Sequence, residues 1–144
     1  MRAQPKPEPE PPPKAIRVAG ILVAAQGVLG VGFAGYLVVY LVTLAGAAAL
    51  GIRAVLGEAA MFLLIGVGLL AVGLGLLRGR AWARTPAIVT QLLSLPAVYS
   101  LLGPSHQVVV GVLAGLVVLT ALLSLLSEPA RVWAADLDEA RRRR

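Results

Sequence analysis

The sequence predicts an all-α membrane protein: four transmembrane helices in a bundle, behind a disordered Pro-rich tail and ahead of a short amphipathic C-terminal helix. Three observations carry that expectation. The 144 residues are 58% hydrophobic and only 14% charged, whereas a soluble domain carries about 25% charged residues. The apolar residues come in long blocks, not at strand or amphipathic-helix spacing. A helix apolar all round must be buried, and a short chain has too little other protein to bury several of them, so lipid is the remaining solvent. The basic residues, finally, collect on one side of the blocks.

Residues 1–15 form the tail, with prolines at 5, 7, 9, 11, 12 and 13 among Lys6, Glu8, Glu10 and Lys14. This composition favours extended polyproline II and builds no core. A solvated leader is expected ahead of a partner-docking motif. The transmembrane domain covers 16–126, with spans at about 18–44, 54–77, 86–102 and 107–126. The first block would reach about 40 Å, beyond the ~30 Å hydrocarbon core. Tilt or emergence of one end absorbs the excess. Ala45-Gly46-Ala47 resembles a signal-peptidase site, but the run before it far exceeds a signal-peptide apolar region of about 7–15 residues, so an uncleaved helix is expected.

The second block stops at Arg78-Gly79-Arg80. Pro86 suits the first turn of the third, where its missing N–H costs nothing. Pro96 removes a hydrogen bond to the Leu92 carbonyl, so a kink is expected. Gly103-Pro104-Ser105-His106 reads as a tight turn. In residues 127–144, Glu128-Pro129 is a helix-start signal. Trp133, Leu137 and Ala140 share a face, and Asp138 with Arg142 and Glu139 with Arg143 are i,i+4 pairs in the favourable order. A short interfacial helix follows, its basic end beside anionic headgroups at about 1 kcal/mol per arginine.

Four spans put both tails and the second loop on one side. Twelve of the 13 Lys and Arg residues lie there and only Arg53 lies opposite. That asymmetry predicts cytoplasmic N and C termini. Trp82 and Trp133 fall at the inner interface, and Tyr36, Tyr40 and Tyr99 in the outer halves of their spans, as a belt of amphipathic rings requires.

The few candidate functional residues are polar or small. Gly20 and Gly27, Ala71 and Gly75, and Gly111 and Gly115 are spaced for close helix packing, within the bundle in preference to between copies. Glu58 is the one acid outside the cytoplasmic segments. It reads as a proton or cation site, or as an interfacial carboxylate near Arg53. Gln91 and Gln26 each need a partner in hydrocarbon, and with Thr90 and Ser94 they suggest a polar seam. Arg78, Arg80, Trp82 and Arg84, with Trp133, read as orientation signals and contacts to anionic lipid headgroups. His106 reads as a solvated loop residue.

The sequence holds no cysteine and no asparagine, which excludes disulfides, thiolate metal sites and N-glycosylation. No nucleophile–base arrangement or phosphate loop occurs, so no enzyme, no cofactor and no metal are expected. Nucleic acid is not expected either, because the net charge of +6 sits beside the spans.

The Pro-rich leader, the four Ala/Leu/Gly/Val-rich spans and the stretch from Arg80 to Leu95 resemble small, uncharacterised four-helix integral membrane proteins of actinobacteria. The resemblance implies a bacterial plasma membrane and transfers no catalytic residue. Small multidrug resistance transporters share only the size and span count, since their carboxylate lies in the first helix and Glu58 lies in the second. The expected role is therefore an accessory, assembly or interaction subunit. Its partners are the bilayer and another membrane protein or a second copy. The alternative is a small proton- or cation-coupled transporter, oligomeric and built on Glu58 and Gln91.

Overall fold

The computed structural model describes residues 11–44, 51–103 and 107–142. Among them 92% are helical and none lies in a strand. The helices are α1 (Lys14–Leu44), α2 (Ile52–Leu77), α3 (Arg84–Leu102), α4 (Val108–Leu126) and α5 (Glu128–Arg142), with a 3-10 turn at Ala81–Ala83 before α3.

The first three helices begin earlier than their apolar blocks. The Pro13 carbonyl accepts the Arg17 N–H at 3.1 Å, so α1 starts as soon as the proline run ends. Lys14 and Ala15 therefore belong to α1 and not to the tail. A polar first turn projecting past the hydrocarbon is invisible to a search for apolar blocks. Of the tail expected to be disordered over 1–15, residues 1–10 lie outside the described residues, as does the expected turn residue His106, and residues 11–13 precede the helix. Helix α3 runs on through Pro96 to Leu102.

Four helices are long and apolar enough to cross a membrane, with only 11% to 22% of each span's most apolar window buried inside protein. Leu29, Leu64 and Val109 are each more than 70% exposed. In water each such side chain would forfeit roughly 1.5–3 kcal/mol. The surface suits hydrocarbon, and the chain is a multi-pass membrane protein by length and composition.

Helices α1 and α2 form the most extensive contact, and glycines bring them together. A Cβ on Gly27 would stand 2.6 Å from the Leu70 amide nitrogen; on Gly66, 2.7 Å from that of Val31; on Gly73, 2.5 Å from that of Ala24. Backbone thus meets backbone over two turns, which gains dispersion contact that lipid cannot match. The register is antiparallel: Gly20 faces Leu77, Ala24 faces Gly73, Gly27 faces Leu70 and Val31 faces Gly66. Helices α3 and α4 pack as a second pair, with Gly111 against Leu102 and Gly115 against Val98. Helix α1 also packs against α4.

The packed core lies at one end, where the start of α1, the α2–α3 turn and the end of α4 converge. Ser127 takes an extended backbone (φ −59°, ψ 151°). Helix α5 then folds back so that Ala130 and Trp133 join Ile16, Leu76, Ala83 and Leu125 in that core. This end also carries most of the described cations and is called the basic end below. At the opposite end no residue of α1 beyond Ala34, and none of α2 before Ala59, is buried among the described residues.

Candidate functional site

Polar side chains gather at two levels. The first is a pair of amides inside the spans. Gln91 is fully buried. Its Nε2 donates to Gln26 Oε1 at 2.8 Å, and Gln26 Nε2 returns a long contact of 3.5 Å to Gln91 Oε1. The pair joins α1 to α3 and satisfies the requirement that each amide face another helix. Thr90 and Ser94 do not extend it. Thr90 Oγ1 donates to the Pro86 carbonyl at 2.6 Å and Ser94 Oγ to the Thr90 carbonyl at 2.9 Å. Both hydroxyls are committed to the backbone of α3, so the anticipated seam shrinks to the two amides.

Replacing Gln91 alone by leucine strands the Gln26 amide in an apolar surround. Gln26 is half-buried, so we expect a loss of about 1 kcal/mol, the lower end of the cost of an unpartnered polar group. The double change Q26L/Q91L should recover most of it, with a coupling near 0.6 and at most about 1.7 kcal/mol, the range for hydrogen bonds between membrane helices. Reversible unfolding in mixed micelles measures the cycle. Strictly additive losses would mean the amides act independently.

Glu58 stands apart from this pair. It is exposed on the second turn of α2. The register sets Gln26 level with residues 70–73 of that helix, which lie about 20 Å from Glu58 at 1.5 Å per residue. The two residues read together as an ion site therefore form no common site. An apolar groove of about 470 Å³ between the halves of α1 and α2 remote from the basic end is lined by Ala34, Leu56, Ala59 and Leu63 among others, and Glu58 is not part of its lining.

The second level is the basic end. Helix α2 closes on Gly79, which has φ 69°. Its N–H donates to the Leu76 carbonyl at 3.0 Å, and the Arg80 N–H to the Gly75 carbonyl at 2.9 Å. This paired closure of a helix C-terminus needs a left-handed residue, for which glycine alone has no steric penalty. Arg78 and Arg80 flank it with exposed side chains. A Cβ on Gly75 would stand 2.8 Å from Ala83 Cβ and 3.4 Å from Trp82 Cζ2. Gly75 thus seats the 3-10 turn, not a neighbouring span as its spacing suggested, and Ala71 is exposed. The Trp82 ring lies along the end of α2 and remains 47% exposed.

Two residues read as headgroup contacts have other work. Arg84 Nε and Nη2 donate to the Leu125 carbonyl at 3.3 and 3.1 Å, capping the last turn of α4 with a cation where the helix dipole is negative. Trp133 is only 7% exposed. Its indole packs at the Gly79 turn, which Pro12 also touches, so the ring is buried in protein and not offered to lipid.

Sequence reasoning missed Gly66, Gly73 and Pro12. The first two carried a signal: they are spaced seven residues apart, as Gly20 and Gly27 are, and residues seven apart keep one face of a helix. Nothing local marks Pro12. No family model, curated protein or solved structure matches this chain.

Proposed function

We propose that this chain is a non-enzymatic accessory or assembly subunit of a bacterial plasma membrane, with both termini in the cytoplasm. The observation that carries this reading is the construction of the basic end. The core fixes α5, the 3-10 turn and the proline segment to the ends of the spans. Arg17, Arg78, Arg80 and Arg131 remain exposed around it. A rigid, cationic surface anchored in the membrane is suited to association. The twelve-to-one distribution of Lys and Arg supports the cytoplasmic assignment. The internal pairing of Gln26 with Gln91, about 20 Å from Glu58 by helix rise, supports this reading over a transporter built on Glu58 and Gln91 together.

Reporter fusions at Arg53 and Arg80 should land in opposite compartments, with Arg80 inside. Purification in mild detergent at native expression should recover the chain with a second membrane protein or a second copy. Neutralising the four exposed arginines should release that partner. A lone monomer would overturn the association reading, and fusions in one compartment would overturn the topology.

A further inference from the structure

We infer that the α1–α2 end of the molecule holds one anionic phospholipid, bound through its phosphate by Arg17, Arg78 and Arg80 and flanked by Trp82. Three observations converge on this place. The first is register. Gly20 faces Leu77 across the α1–α2 contact, so one turn further out Arg17 comes level with the Arg78–Arg80 turn, on the side of α1 that Gly20 shares. Pro12 confirms the closeness, with its Cδ 3.6 Å from the Cβ position of Gly79. Two helix ends thereby bring three exposed arginines to one level.

The second observation is charge. All three side chains are exposed, and no carboxylate among the described residues forms an ion pair with any of them. Glu128 and Asp136 pair with none of the three. With Pro11, Pro13 and Trp133 they line a separate cavity of about 330 Å³. Arg84, the remaining arginine of the loop, is occupied by the Leu125 carbonyl. Among the described residues these cations thus have no counter-charge, and planar guanidinium groups match phosphate oxygens in pairs.

The third observation selects a lipid over a soluble phosphate. The cluster borders the apolar flank of α2, where Leu74 is 40% exposed, and Trp82 presents nearly half its surface there. An indole between hydrocarbon and headgroups is at its preferred depth. A phosphate bound here with acyl chains attached covers both the cations and the apolar wall. A free phosphate covers only the cations.

The inference rests on the function proposed above only for the leaflet that supplies the lipid. Binding in detergent does not depend on orientation or on a protein partner, so the two readings fail separately. Native mass spectrometry of the full chain, exchanged into micelles with equal phosphatidylglycerol and phosphatidylcholine, is the test. One phosphatidylglycerol should be retained in preference. The triple variant R17Q/R78Q/R80Q should lose about a hundredfold in apparent affinity, at roughly fivefold per arginine. The triple lysine variant should retain most of it, and R53Q, at the opposite end of α2, should be unchanged. Excess glycerol phosphate should not displace the lipid. Equal retention of both lipids, an unaffected triple glutamine variant, or displacement by glycerol phosphate would each overturn the assignment. Nine of the twelve cations on that side remain in the glutamine variant, so its topology should hold, and helical circular dichroism checks its fold.

Discussion

Replacing Gly73 by leucine is expected to force α1 and α2 apart and to cost about 3 kcal/mol or more. Even the first added carbon would sit 2.5 Å from the Ala24 nitrogen and 2.8 Å from its Cα. Those are backbone atoms, so no rotamer change relieves the overlap. Overpacking of a tight contact usually costs about 1–3 kcal/mol, and here the entire helix must move. The movement also withdraws the dispersion contact that membrane helices rely on in place of a hydrophobic force. Gly27 and Gly66 should behave alike, since their nearest neighbours are also backbone. Gly32 and Gly68 have open space where a Cβ would go. Alanine at either should be neutral, or stabilising by up to about 1 kcal/mol through helix propensity. Unfolding of purified variants in mixed micelles measures the contrast. Equal effects at Gly73 and Gly68 would show that the glycines serve composition and not the α1–α2 seam.

That contrast explains what was legible in the sequence. Spans were readable because hydrocarbon imposes one demand on a long stretch, and no fine geometry is needed to see it. Helix α5 was readable from a local start signal and a change in composition. The seam was not. Sixteen glycines in 144 residues give many small-residue spacings, and the one at Ala71 and Gly75 points away from α1. Which small residue faces a partner depends on the rotation of the whole helix, set by every contact along it. The match of Gly20 and Gly27 with Gly66 and Gly73 appears only when two helices are compared as an antiparallel pair. Arg84 and Trp133 show the same limit from another side. Charge and aromaticity place a residue at a depth in the bilayer. Whether it turns toward lipid or protein there depends on residues far away in sequence, Leu125 for the arginine and Gly79 for the indole.

Truncating Trp133 to alanine should undock α5 while leaving the four spans in place. The indole is the largest side chain of the core at the basic end, and removing a buried aromatic typically costs about 3–5 kcal/mol. Trp133 joins α5 to the Gly79 turn, so the loss should concentrate there. Its Nε1 is buried and lacks a hydrogen-bond partner among the described residues. That group should therefore weaken docking by its own desolvation. Phenylalanine keeps most of the apolar ring and discards the stranded N–H, so W133F should hold α5 nearly as well as the native residue. Amide hydrogen exchange over 128–142 reads the outcome directly. Fast exchange there in W133A, slow exchange in W133F and unchanged protection in α2 are expected. Were W133F to exchange as fast as W133A, the indole N–H would have to be bonded, and docking of α5 would rest on that bond in place of packing.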